Sequence, residues 1–133
     1  MVKKYVKATE KSFDIMIWEK RLKRTDMIIF LFMHMFSEDN KNRKIYKYNK
    51  KYLADKLNMS IHTIQKSVEA LKKSELINYI YRFRVGENNN TDSNTIETED
   101  WEEYVRLRKE TGMRPLGAYY ILADIGVRGR FIN

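Results

Sequence analysis

Two short helical patterns lie close together in residues 49–73, and only a tight turn separates them. The first begins after Asn49 and the second after Ser60, and both residues are favoured at the position that caps the start of a helix. The apolar positions are Tyr52, Leu53 and Leu57 in the first pattern and Ile61, Ile64, Val68 and Leu71 in the second. Asn58 tolerates the left-handed conformation of a sharp turn, and Ala54 is small where the helices must cross. The sequence therefore predicts two closely packed helices.

The apolar period changes to two directly after the second helix. Residues 77–85 place Ile77, Tyr79, Tyr81, Phe83 and Val85 on one face and Asn78, Ile80, Arg82 and Arg84 on the other. The polar stretch 86–94 predicts a turn, and residues 95–97 predict the strand that returns from it. This pattern indicates a β-hairpin with a long tip. We expect Tyr79 and Tyr81 to be core residues of the inner face rather than platforms on which bases stack.

An apolar segment upstream of these patterns predicts a buried helix. Thr25 is its expected N-cap, and residues 27–36 are apolar on every side except at His34. Such a helix must be covered all round, either by the domain core or by a partner subunit. We expect His34 to be a hydrogen-bonded core residue rather than a ligand.

The segments on either side of this apolar helix are short. Residues 13–17 alternate as a short strand does, although the basic stretch that follows is equally compatible with a helical turn. Residues 37–44 are polar and predict a loop, and residues 45–48 predict a short strand.

Two further helices are predicted after the hairpin. Thr98 can cap the first, whose first turn is acidic and whose last turn is basic, and Gly112 should end it. Pro115 opens a second, very apolar pattern that continues to Ile125 and stops at Gly126. We expect this second helix to be either a lid on the core or a dimerisation element.

The charge of the chain is unevenly distributed. Its 133 residues carry a net charge of +8, but residues 1–73 hold 18 Lys and Arg against 8 Asp and Glu, whereas residues 74–133 hold 8 against 10. A surface for a polyanion therefore lies mainly in the first half of the chain, although lysine-rich helices also serve simply to keep a small protein soluble.

The composition disfavours several classes of protein. The chain contains no cysteine, so neither a disulfide framework nor a thiolate metal site is available. The longest apolar run has ten residues, whereas a membrane helix needs about 20. The N-terminus does not resemble a secretory signal. We therefore expect a cytoplasmic protein without a membrane partner. The chain has two histidines without a carboxylate partner pattern, and it has no glycine-rich phosphate loop. We therefore expect neither an enzyme nor a cofactor or metal site.

The segment from Tyr52 to Ile77 resembles the helix-turn-helix of winged-helix DNA-binding proteins, and the resemblance covers about residues 25–97. It implies an α+β, mainly α fold, a winged helix-turn-helix with a short β-hairpin wing and additional C-terminal helices. We expect residues 1–133 to form one domain, with an N-terminal extension (1–24), the winged core (25–97) and a C-terminal helical extension (98–133). Many relatives have glycine where this chain has Glu75, which predicts a differently shaped end of the second helix.

The resemblance also implies a mode of DNA binding. The second helix, residues 60–73, would be the recognition helix in the major groove, with base and phosphate contacts from exposed residues of its first turns. These residues are Ser60, His62, Thr63, Gln65 and Lys66. Ser60 is a plausible cap whether or not it holds a phosphate, and His62 is equally compatible with plain surface. Other predicted contacts are Lys50 and Lys51 to phosphates and, in the wing, Arg82, Arg84, Asn88, Asn89 and Asn90 to the minor groove.

The expected function is sequence-specific binding of double-stranded DNA by a protein of a plasmid or other mobile element. The resemblance is to accessory and regulatory proteins of replication, partition or conjugative transfer that recruit a larger protein to their site. A transcriptional regulator is the first alternative, and a winged-helix protein-interaction module that does not bind DNA is the second. We also expect a homodimer, because the two very apolar predicted helices offer more apolar surface than a small core needs.

Overall fold

The computed structural model describes residues 3–84 and 95–132, which form an α+β protein as predicted. The elements are strand β1 (Lys3–Lys7), helix α1 (Glu10–Asp14) with a π-helical turn (Ile15–Glu19) directly after it, helix α2 (Arg24–Met35), strands β2 (Glu38–Asn40) and β3 (Arg43–Tyr48), helices α3 (Lys50–Leu57) and α4 (Ile61–Lys73), strands β4 (Ile77–Arg84) and β5 (Thr95–Thr98), helix α5 (Trp101–Thr111), and strands β6 (Ala118–Leu122) and β7 (Arg128–Ile132).

Five of the strands form an antiparallel sheet in the order β2-β3-β6-β4-β5. Strand β6 lies at its centre, where Tyr120 pairs with Tyr46 of β3 on one side and with Tyr79 of β4 on the other. The helix predicted for residues 115–125 is therefore wrong. A central strand is apolar on both faces, and such a short run has no period that distinguishes it from a buried helix.

The apolar helix α2 is covered by elements of its own chain. It contacts α4 and β3, and strands β1 and β7 pair with each other to form a separate two-stranded ribbon that lies against it. Its residues Ile29, Phe30 and Met33 are completely buried. Both segments from which we expected a homodimer, α2 and residues 115–125, are thus largely used inside one chain.

The two predicted central helices are confirmed, together with the local interactions that define them. The Asn49 side chain accepts a hydrogen bond from the Tyr52 amide at 3.1 Å, and Ser60 Oγ accepts one from the Thr63 amide at 3.1 Å. Asn58 is left-handed, with a φ of 53°, and turns the chain between α3 and α4. The buried stripe of α4 is formed by Ile64, Ser67, Val68 and Leu71.

The end of α4 has the shape that glycine usually provides, although the residue is Glu75. Its φ is 63°, in the left-handed region. The Leu76 amide donates to the Leu71 carbonyl at 3.0 Å and the Glu75 amide to the Lys72 carbonyl at 3.0 Å, the pair of bonds that closes a Schellman motif. The expectation that Glu75 would change the helix end is therefore wrong, and the chain accommodates a strained residue there instead.

Several local predictions need correction. Of the two alternatives left open for residues 13–17, the helical one is confirmed, because these residues continue from α1 into the π-helical turn. The predicted loop at residues 37–44 contains β2, which pairs with β3 around a two-residue turn with positive φ at Lys41 and Asn42. The N-caps of two helices also lie elsewhere, at Lys23 rather than Thr25 for α2 and at Asp100 rather than Thr98 for α5. The prediction that Gly112 ends α5 is confirmed.

The two faces of the sheet have different surroundings. One face packs on the helices, and Ile77 and Phe83 are buried there while Tyr79 and Tyr81 are half-buried. On the other face the sheet curls so strongly that Arg43 of β3 and Glu97 of β5, which two strands separate, form an ion pair of 2.6 Å between Nη2 and Oε2. The side chains of Ile80 and Arg82 are buried on this face.

The ribbon formed by β1 and β7 approaches α2 closely at Gly129. A Cβ atom at this position would lie 2.5 Å from the carbonyl oxygen of His34 and 3.2 Å from Cα of Met35. We expect Gly129→Ala to lower the free energy of unfolding by about 2 kcal/mol, since backbone must move to admit the methyl group. Urea denaturation measures the change. Gly117→Ala is the control, because the nearest atoms to its Cβ lie at 3.5 and 3.7 Å; equal losses in the two variants would contradict the close approach.

The buried imidazole of His34 makes stability depend on pH. The predicted burial of His34 is confirmed. The predicted hydrogen bond is not confirmed, because neither ring nitrogen makes a well-formed hydrogen bond among the described residues. A candidate partner nearby is the backbone of Ala123. Burial lowers the pKa of His34 from 6.5 to about 4. Between these values only the unfolded chain binds the proton, so the folded state loses about 1.4 kcal/mol per pH unit as the pH falls.

The corresponding variant is His34→Leu, which removes the group that titrates. Between about pH 7.5 and about pH 5, wild type should lose about 2 kcal/mol more free energy of unfolding than this variant does. Urea denaturation at the two pH values gives the difference. The exposed His62 provides the control, and His62→Ala should keep the wild-type pH dependence. If His34→Leu and wild type respond equally to pH, the imidazole is not the group responsible.

Candidate nucleic-acid interface

Helix α4 presents a polar ridge on the side opposite its buried stripe. His62, Gln65 and Lys66 are exposed on this ridge, together with Glu69 and Lys73. They lie there because the apolar residues of α4 recur every three or four positions and leave the other side of a 3.6-residue period to polar ones. The structure therefore brings together three of the residues predicted from the sequence to contact DNA.

The first turn of α4 is fixed by its own hydroxyl groups. Ser60 Oγ caps the helix and lies 2.9 Å from Thr63 Oγ1, which is half-buried at the edge of the ridge. The predicted cap is confirmed. The phosphate contact at Ser60 stays a prediction, and it would use the unpaired amides at the positive end of this helix.

A groove runs between α4 and the start of α2. Its volume is about 600 Å³, and it is lined by Lys23, Thr25, Asp26, His62, Thr63, Gln65, Lys66, Ser67, Glu69, Ala70 and Lys73. We call it the α4 groove. Lys23 is exposed and adds a positive charge across the groove from Lys66. Lys23 was not among the residues predicted from the sequence, although the basic run at residues 20–24, directly before α2, is the pattern that could have indicated it.

A smaller cavity borders α4 on its other flank. It has a volume of about 350 Å³ and is lined by Tyr48, Lys50, Gln65, Val68, Glu69, Lys72 and Tyr120. Burial by itself would lower the pKa of Lys72, but Tyr120 and Glu69 outweigh this effect and raise it, so Lys72 stays charged. Lys50 and Lys51 are exposed in the first turn of α3. Gln65 thus lies between positive charges that come from three different elements.

Arg82 does not reach the surface predicted for it. Its side chain is only 8% exposed, and it forms ion pairs with Glu97 at 3.3 Å and Glu38 at 3.4 Å and lies 4.7 Å from the ring centre of Tyr119. The physical reason is the curl of the sheet, which turns this face of β4 inward. Although burial alone would raise the pKa of Glu97, its hydrogen bond from Arg43 and the charge of Arg82 lower it. We therefore correct the prediction that Arg82 contacts DNA.

The remaining predicted wing residues give less information. Arg84 is half-buried at the end of β4. Asn88, Asn89 and Asn90 lie outside the described residues. Within residues 3–84 and 95–132, no group of three or more His, Cys, Asp or Glu is arranged to hold a metal ion, and no helix is long and apolar enough to cross a membrane.

Comparison of the chain with protein-family models, with curated protein sequences and with solved structures finds no match. The interpretation of the interface therefore rests on its own residues. These are an exposed polar ridge on α4 and lysines beside it from the start of α2 and the start of α3.

The ion pairs of Arg82 allow a stability test of its role as a structural residue. We expect Arg82→Gln to lower the free energy of unfolding by about 3 kcal/mol, since the change leaves buried carboxylate charge without one of its partners. Thermal and urea denaturation measure the loss. Arg106→Gln is the control, because Arg106 pairs with Glu103 and Glu110 in solvent and should cost less than about 1 kcal/mol. A loss no larger than that of the control would show that Arg82 is not a structural ion-pair residue.

Proposed function

We propose that the protein binds double-stranded DNA as a winged helix-turn-helix protein, with α4 as the recognition helix. The observation that carries this proposal is the exposed ridge of α4, with Gln65 at its centre and Lys23, Lys50 and Lys72 on its two flanks. The order of the elements supports it too: α2, β2, β3, α3 and α4 are followed by the β4–β5 hairpin. An α-helix fits the major groove of B-DNA, whose width is about 12 Å.

The residues of the ridge suit different parts of the DNA. The Gln65 amide can pair with adenine through two hydrogen bonds, and Glu69 can accept one from cytosine. Lys66 and His62 can donate to a base edge or to a phosphate. The amides beside Ser60 would bind one phosphate, while Lys23, Lys50 and Lys51 would attract the backbone on both sides of the groove. In this arrangement α4 supplies sequence preference, and the lysines of the other elements supply general affinity.

The biological role that we propose follows from the resemblance described above. It is that of a cytoplasmic accessory or regulatory protein of a plasmid or other mobile element, which marks a DNA site in replication, partition or conjugative transfer. A transcriptional regulator would use the same surface. The lysines around α4 favour DNA over the alternative of a protein-interaction module. We leave the homodimer out of the proposal, because its two supporting segments are largely covered within one chain.

Fluorescence anisotropy of labelled duplexes tests the proposal. The protein is titrated against random duplex DNA and against duplexes from the neighbouring genomic region, at two salt concentrations. We expect salt-dependent binding that prefers the local fragments. Gln65→Ala should lower affinity for the preferred fragment by about tenfold and reduce the preference. Lys66→Ala should weaken binding to all duplexes and make it less dependent on salt.

The control for net charge is Lys11→Ala, which removes an exposed lysine on α1. It should change affinity much less than Lys66→Ala does, although both variants lose one positive charge. Equal effects would indicate attraction by total charge alone and would contradict a recognition helix. Absence of binding to every duplex at low salt would contradict the proposal and would favour the alternative, a protein-interaction module that does not bind DNA.

A further inference from the structure

A row of aromatic rings leads from the sheet to the surface of α5. Tyr104 stacks on Tyr81 with 4.2 Å between ring centres and lies 5.6 Å from Phe83. Trp101 continues the row at 5.1 Å from Tyr104 and 6.0 Å from Tyr81. The inner members are buried or half-buried, but Trp101 is 61% exposed. The row therefore ends in a large indole ring that its neighbours hold in place and that water contacts on one side.

Two positive charges lie on the same side of α5. Arg108 and Lys109 follow Trp101 by seven and eight residues, and with Tyr104 and Val105 they line a cavity of about 380 Å³. We call these five residues the α5 stripe. Trp101 and Arg108 are two helical turns apart, which is about 10 Å along the axis.

The charges of the α5 stripe are available to a ligand. Among the described residues neither Arg108 nor Lys109 forms an ion pair, and Arg108 donates only to the Tyr104 hydroxyl at 3.5 Å. By contrast, Arg106 on the opposite side of α5 is paired with Glu103 and Glu110. The helix thus pairs Arg106 within itself and leaves Arg108 and Lys109 without an acidic partner among the described residues.

We propose that the α5 stripe binds single-stranded nucleic acid, with an unpaired base stacked on Trp101 and its phosphates against Arg108 and Lys109. The ligand that fits must be flat and aromatic at one end and anionic at the other, within about 10 Å. A nucleotide has both features, and stacking on exposed aromatic rings beside cations is how single strands are bound without sequence readout. A duplex cannot use the stripe in this way, because its bases are stacked inside the helix. The site lies on a different element from α4 and does not depend on the binding of duplex DNA proposed above.

The chain offers a direct probe, because it contains only two tryptophans. Trp18→Phe leaves Trp101 as the sole tryptophan. Trp18 itself is exposed, so this change should preserve the fold, which circular dichroism checks. We titrate this variant with ten-nucleotide oligo(dT) and oligo(rU) and follow tryptophan fluorescence. Stacking of a base on the indole should quench the emission in a saturable, salt-dependent way, whereas a duplex of the same length should not. The oligonucleotide that binds more tightly identifies the ligand as single-stranded DNA or single-stranded RNA.

Affinity measurements on further variants distinguish this site from α4. With a labelled oligonucleotide, Trp101→Ala should lower affinity by about tenfold. The double variant Arg108→Ala with Lys109→Ala should also weaken binding, while Arg106→Ala, on the opposite side of α5, should not. Gln65→Ala should leave single-strand binding unchanged and reduce only duplex binding, so the two proposals fail independently.

Three results would overturn the inference. One is the absence of quenching by both oligonucleotides in the variant that retains Trp101. Another is quenching of the same size in the Trp101→Phe variant, in which Trp18 is the only source of tryptophan fluorescence. The third is quenching by an acidic peptide, poly-glutamate, at concentrations as low as those of the oligonucleotides, which would assign the α5 stripe to a protein partner.

Discussion

The pairing of β6 with both β3 and β4 is the interaction on which the rest of the structure depends. Strand β3 precedes the α3–α4 pair in the chain, and β4 follows it. Strand β6 lies between β3 and β4 and forms backbone hydrogen bonds with both of them. Because unpaired backbone groups are costly in a core, neither strand would be stable there alone. The position of α4 over the sheet is therefore set by a strand that follows it about 45 residues later in the chain.

The parts of the fold that the sequence predicts are those that local interactions determine. Asn49, Asn58 and Ser60 specify where α3 and α4 begin and end, and each acts on atoms within a few residues of itself. Residues 118–122 lack such a local pattern, because both of their faces carry apolar or aromatic side chains. The pairing of β1 with β7 joins opposite ends of the chain, and nothing near either strand indicates its partner.

The candidate interface was predictable to a similar extent. The helical period alone assigns His62, Gln65 and Lys66 to the exposed side of α4. It does not reveal that Lys23 lies across the α4 groove, since this depends on how α2 packs. For Arg82, the register of the hairpin places Glu97 directly opposite, so an ion pair could have been expected. The burial of that pair could not, because the curl of the whole sheet produces it.

The ribbon that covers α2 also fixes an order of events during synthesis. Helix α2 is made early, and from Met27 onward it is apolar on nearly every side except at His34. Strand β7, however, leaves the ribosome about a hundred residues after α2 begins. Contacts between segments so distant in sequence form late and slow the folding of a domain. Until β7 arrives, one flank of α2 has no permanent neighbour and is exposed to other chains, a state that favours aggregation. The flank of α2 that the ribbon covers is therefore the last part of this helix to be protected, and only after β7 has been synthesised.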